Sequence, residues 1–178
     1  MSKIRGLLNS ILIISSLHFY ERVQYKRAKH IIAVSEASKK VLIQNYRINP
    51  RKIKVIHDCV NLNKFNPSNQ SNEIRQRYGN NILLYSGLMI RRKRISVLLE
   101  AMKSVIREVP DVHLILTGIG PFLNKWKKLS ISLGIQNNTS FLGFVKEKEL
   151  LKYYASSDIF VFPSEQEGFG QVLLEAMA

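Results

Sequence analysis

Two carboxylates stand eight positions apart near the end of the chain, Glu167 and Glu175, in "SEQEGFGQVLLEAMA". Gly168 and Gly170 follow the first, and a helical pattern opens after them. Glycines leave the first backbone N–H groups of a helix unobstructed, and the helix dipole favours an anion there. If the whole segment were helical, eight residues would span ~12 Å. That is the reach of a folded nucleotide-sugar, with one carboxylate near the sugar, the other near the ribose and phosphate between them. Carboxylates suit sugar hydroxyls because they accept several hydrogen bonds. On spacing alone, a loop glutamate and a surface helix glutamate are the simpler reading.

A second stretch is "GLMIRRKRIS", residues 87–96. Its cations, Arg91 to Arg94, follow Gly87 at a strand end. Such a run is ordinarily a solvated face. On the same sheet edge as the glycine-led helix, Arg92 and Lys93 would clamp a diphosphate. Arg94 is equally read as a helix-start residue.

These residues need elements to place them. "HIIAVS" (30–35) and "KIKVIH" (52–57) read as strands around a helix, "EASKKVLIQNY" (36–46), with Val41 and Leu42 inward and Pro50 ending it. "NLNKFNPSNQSN" (61–72) is linker-like. Beyond it strands are expected at 82–87, 112–118, 139–143 and 158–164. Helices are expected at 94–109, 122–134 (stopped by Gly134), 147–157 and from Gly170 on. The 94–109 helix is expected to turn Val97, Leu98, Ala101, Val105 and Val109 inward. Alternation with near-continuous apolar strands predicts an α/β fold, a Rossmann-like parallel sheet covered on both faces. Gly87, Gly118 and Gly143 each follow a strand, at the edge where open α/β sheets bind ligands. Glycine is also simply good at leaving a strand.

The 178 residues allow a sizeable core. A single cysteine, Cys59, fits a reducing compartment, and with scattered histidines it gives no metal-ligand spacing, so no metal is expected. There are 27 basic and 13 acidic side chains, and residues 1–60 carry net +9 of the total +14. That excess matches an anionic membrane surface, nucleic acid or phosphorylated ligands, or a plain solvated basic face. The apolar run Leu7–Leu17 has no small-residue cleavage site after it and is too short to span a bilayer, so a buried or membrane-surface helix to about Ala28 is expected.

Taken in order, these motifs resemble GT-B-fold glycosyltransferases of group 1, glycosyltransferase family 4. "AKHIIAVSEASKKVL" resembles the family's last N-domain strand and helix, and "KIKVIHDCVNLNKFNP" its interdomain connection. "ILLYSGLMIRRKRISVLLEAM", "LILTGIGP", "FLGFV" and "YYASSDIFVFPSEQEGFGQVLLEAMA" resemble the donor domain. The last is the most specific, joining PS, the E-x7-E pair, GFG and EAMA. The resemblance implies retaining transfer of a sugar from a nucleotide-sugar donor to a glycan or lipid-linked acceptor, with no metal or other cofactor. It implies that Glu167 faces the donor sugar as the catalytic carboxylate and Glu175 holds the ribose hydroxyls. Gly168, Phe169 and Gly170 would contact sugar and phosphate, Lys93 the diphosphate, and Gly143 and Phe144 would flank the nucleobase.

Leu88 stands where the family often has Arg, which leaves Arg92 or Arg91 to supply a diphosphate contact. Cys59 stands where the family has Gly in its NGVD turn, strained if that turn needs a positive φ. A complete member is about twice as long. The expected organisation is therefore 1–35 as the remnant of an acceptor domain, 36–72 as the connection and 73–178 as a donor domain cut short. His18 lies too close to "IIAVS" to be the acceptor-domain histidine, and "DIFVF" would become an exposed edge strand. Alternatives are an accessory or split subunit completed by another chain and, less well supported, a basic nucleic-acid-binding module, which lacks any binding motif. The expected location is cytoplasmic, at the periphery of the membrane.

Overall fold

The computed structural model describes residues 19–178, so the expected helix over Leu7–Leu17 and His18 lie outside the described residues. Residues 19–27 are helical, which meets the expected end near Ala28. No helix among the described residues is long and apolar enough to cross a membrane. The chain divides into two compact units, Met1–Asp58 and Cys59–Ala178.

In the first unit, β1 (Ile31–Ala33) pairs in parallel with β2 (Ile53–Val55). Helix α1 (Glu36–Tyr46) connects them. Its start is capped by Ser35, whose side chain accepts the Ser38 N–H at 3.0 Å. It ends at Tyr46 as expected, but not because of Pro50. Arg47 turns left-handed (φ 53°), and the Ile48 N–H closes onto Leu42 O at 3.3 Å, so the helix stops before Pro50 is reached. Leu42 packs with Ala33, Ile48 and Ile53, whereas Val41 is 45% exposed. A short two-stranded layer covers one helical stripe, and adjacent residues diverge by 100°.

The second unit holds a four-stranded parallel sheet in the order β5-β4-β3-β6. Its strands are β3 (Asn81–Ser86), β4 (Val112–Thr117), β5 (Thr139–Gly143) and β6 (Ile159–Phe160). Side chains alternate between two cores, as the period of two requires. Tyr85, Leu114 and Leu116 join a core with α3 (Ile95–Glu108) and α4 (Leu123–Ser132). Ile82, Leu84 and Ile115 join another with α2 (Asn72–Tyr78) and α5 (Glu147–Ser156). The doubly covered parallel sheet expected from the apolar strands is present. A seven-residue helix, α6 (Gln171–Met177), follows the sheet.

Helix α3 buries Ile95, Leu98, Leu99 and Met102, while Val97 and Ala101 are exposed and Val105 is half-buried. Of the expected stripe, Leu98 is buried and Val105 and Val109 (the cap residue) pack against the core, whereas Val97 and Ala101 face away from it. Several apolar side chains circle this helix, and only the sheet decides which ones it covers. Gly134 does stop α4. Its φ is +72°, its N–H bonds Ile131 O, and the Ile135 N–H bonds Ser130 O. That paired closure needs a left-handed residue.

The strand-end glycines have a backbone reason of their own. A Cβ on Gly118 would lie 1.9 Å from Gly87 O, and one on Gly120 would lie 2.5 Å from Met89 O. The loops after β3 and β4 touch main chain to main chain, joined by the Gly87 N–H to Thr117 O (3.1 Å) and the Met89 N–H to Ile119 O (2.9 Å). Left-handed non-glycine residues among those described are Arg47 and Arg94, so Cys59 carries no such strain.

Candidate functional site

The carboxyl end of β3 leads through Gly87 into a single 3-10 turn, Arg91–Lys93, before α3 begins. The carboxyl end of β6 leads into residues 161–170, which form no regular element. Neighbouring parallel strands deliver these two loops to the same sheet edge.

The loops are tied together at several points. The Lys93 ammonium donates to Glu167 Oε1 at 2.5 Å. The Arg92 carbonyl accepts the Glu165 N–H at 2.9 Å, and Arg92 Nη1 donates to Gln166 O at 2.9 Å. Arg94 Nε lies 3.6 Å from the Glu165 carboxylate at the surface. Ser164 adds a hydroxyl donor to Glu167 Oε1 at 2.5 Å.

The four consecutive cations therefore have four different surroundings. Lys93 is 8% exposed, with its ammonium 5.1 Å from the centre of the Phe162 ring. Arg92 stands 3.8 Å from Glu167 Oε2 but spends its guanidinium on the loop backbone. Arg91 turns to a separate pocket of about 440 Å³ with Ser96, Phe122, Lys125, Trp126 and Leu129. Arg94 is the left-handed residue that starts α3.

Burial pushes the Glu167 carboxyl up. Hydrogen bonds from Lys93 and Ser164, with the charges of Lys93 and Arg92, outweigh that and hold it below the ordinary carboxylate range. The Tyr85 phenol, fully buried, is pushed up by burial and by the Glu167 charge. It donates to Leu88 O at 3.2 Å and so pins the turn after Gly87. The result is an ionised carboxylate against a nearly buried ammonium. An anionic group placed there shares Lys93, and a developing positive charge is stabilised by Glu167.

Glu175 has a different partner. It lies on α6, and the Tyr154 hydroxyl of α5 donates to its Oε2 at 2.8 Å. The ~12 Å helical spacing does not apply, because residues 167–170 are loop and the helix begins only at Gln171. Gly168 and Phe169 continue that loop, and Gly170 enters the helix with φ 88°. Gly143 ends β5 and Phe144 follows it, two strands from β3 on the same sheet edge, with Phe144 73% exposed.

Lys93, Arg92 and Glu167 are thus brought together, while Glu175 is held separately. Ser164 and Tyr154 were not assigned roles from sequence. Both sit inside quoted motifs, "PS" and "YYASSD", yet their partners lie in folded space rather than at a telling spacing.

Comparison with known proteins agrees with this architecture. Residues 68–178 match the family model described as glycosyl transferases group 1, and residues 9–64 match glycosyltransferase family 4. Among curated relatives, an uncharacterised glycosyltransferase of Methanocaldococcus jannaschii is 29% identical over 92% of this chain and 43% of its own length. Mannosylfructose-phosphate synthase of Agrobacterium fabrum is 29% identical over 90% of this chain and 39% of its own. The chain thus spans about two fifths of the length of these relatives. An Anabaena protein, HepE, solved in complex with UDP-glucose, superposes with a TM-score of 0.75 at 27% identity, over 85% of this chain and 43% of that one. A Rickettsia africae glycosyltransferase gives a TM-score of 0.74 at 28% identity, over 87% and 44%. With a parallel sheet covered on both faces and a family model that matches most of its length, this chain belongs to the group 1 glycosyl transferases.

Proposed function

We propose that residues 73–178 form the nucleotide-sugar half of a retaining glycosyl-transfer site, and that residues 36–72 connect it to an acceptor-binding part of which 1–35 are the end. The observation that carries this is the Lys93–Glu167 pair, an ionised carboxylate and a nearly buried ammonium at the carboxyl edge of the sheet.

In the transfer, the bond between the anomeric carbon and the diphosphate oxygen breaks, a bond to an acceptor hydroxyl oxygen forms, and the hydroxyl proton leaves with the diphosphate. The sugar ring gains oxocarbenium character while the departing diphosphate gains negative charge. Glu167 stands for the first charge and Lys93 for the second. Arg92 holds the backbone of the Glu167 loop, so the diphosphate charge falls mainly to Lys93. Glu175 takes the ribose, Gly168, Phe169 and Gly170 line the sugar and phosphate, and Gly143 and Phe144 flank the base. The acceptor is glycan or lipid-linked, met at an anionic membrane surface.

Relatives support the donor class, since HepE is solved with UDP-glucose. The test is calorimetric titration of UDP into the chain. Lys93→Ala and Glu175→Ala are each expected to weaken binding tenfold or more, on the order of 1.4 kcal/mol. Unchanged affinity in both variants overturns the donor-site reading.

A further inference from the structure

Glu175 is served by a tyrosine that the transfer reaction does not itself require. Tyr154 is caged by aromatic rings: Phe65 meets it edge-on at 5.7 Å and Phe160 lies tilted at 5.5 Å. Its ring also packs against the core of Ile82 and Leu84. A caged tyrosine has two torsions to fix, and fixing them delivers its hydroxyl to one place. That place is Glu175 Oε2, 2.8 Å away on the next helix. Ser86, the last residue of β3, also acts on the phenol.

We propose that Tyr154 is a positioning residue for the donor's ribose: its hydroxyl occupies one oxygen of Glu175 and fixes the carboxylate so that the other oxygen accepts from vicinal ribose hydroxyls. This rests on the assignment of Glu175 to the ribose. A carboxylate on a seven-residue helix has several rotamers. One short hydrogen bond from a rigid donor selects among them before the ligand arrives, which lowers the entropy cost of binding. Burial and the Glu175 carboxylate both push the phenol pKa far up, so the phenol stays a donor across the physiological range. The same contact also ties α5 to α6, and the test separates that structural role from positioning.

The experiment compares UDP with 2′,3′-dideoxy-UDP by calorimetry on the full chain, with thermal unfolding as a check on folding. Tyr154→Phe keeps the ring in its cage and removes only the hydroxyl. It is expected to weaken UDP about tenfold and to leave the dideoxy ligand unchanged, so that the preference for ribose collapses. Glu175→Gln keeps an acceptor for Tyr154 and is expected to weaken UDP as well. The double variant is expected to lose less than the two single losses combined, because the two residues act through one hydrogen bond. If Tyr154→Phe weakens both ligands equally, or neither, while Glu175→Ala still abolishes the ribose preference, positioning is wrong and the ribose assignment stands. If Glu175→Ala keeps the full ribose preference, or the parent chain shows no saturable UDP binding, the ribose assignment fails and the positioning role with it.

Discussion

Glu167 shows how one side chain acquires a defined charge state. Its partners approach from two loops: Lys93 at 2.5 Å from the β3 side, and Ser164 at 2.5 Å from its own. Because its pKa is lowered on folding, its contribution to stability is complete above the unfolded carboxylate range. That contribution disappears as pH falls through the folded value. Asp158 behaves alike: Arg75 grips it at 2.9 and 2.8 Å, and the Ile82 N–H donates to it at 2.7 Å. Urea unfolding between pH 7 and pH 3 is therefore expected to show stability falling with acid. Glu167→Gln and Asp158→Asn should each flatten that decline, and an unchanged slope in both would contradict the ion-pair account. Lys93→Met at neutral pH leaves Glu167 half-buried without its close cation. The expected cost is about 2 kcal/mol, below the range for a fully buried pair because Glu167 retains some solvent. Urea midpoints measure it directly.

At the scale of elements, the loops after β3 and β4 are one structure. Gly118 and Gly87 are in backbone contact, and the bond from the Gly118 N–H to Gly143 O (2.7 Å) extends the contact to β5. Three strand ends are thereby locked into the rim that carries the candidate site. A Cβ at Gly118 has nowhere to go, whereas at Gly134 there is open space and only φ opposes it. Gly118→Ala is expected to cost about 3 kcal/mol or more and to weaken UDP binding. Gly134→Ala should cost only about 1 kcal/mol and leave binding alone. Thermal unfolding and titration of the two variants side by side check this. Equal losses would mean that the rim is not the rigid support inferred.

For the whole molecule, charge is the dominant property. A net charge of +14 raises the local concentration of any polyanion. UDP affinity is therefore expected to fall severalfold as salt rises and the Debye length shrinks from ~10 Å to ~3 Å. Titration at 0.1 M and about 1 M NaCl reads this. The basic first 60 residues predict flotation with anionic but not neutral vesicles at low salt, reversed at high salt. No flotation under either condition removes the membrane from the proposal.

The order of the elements and the sheet's two-sided burial were legible in the sequence. Both follow from local periodicity: runs of apolar residues in β3 and β4, and helical patterns between them. That Glu167 and Lys93 fall at the carboxyl rim of the sheet was legible too, because strand ends and glycines mark the rim of an open sheet. What the tertiary structure decided was how residues distant in sequence meet. It chose Ile95, Leu99 and Met102 over Val97 and Ala101, since the sheet covers one stripe of a helix that has apolar residues on several. It turned Arg92 from a free cation into a brace for the Glu167 loop and sent Arg91 to another pocket. It also gave Glu175 to Tyr154, 21 positions away in the chain. Spacing reports on neighbours within an element. Charge pairing, close backbone approach and caging depend on loops from different strands arriving at one edge, and that is fixed only when the sheet closes.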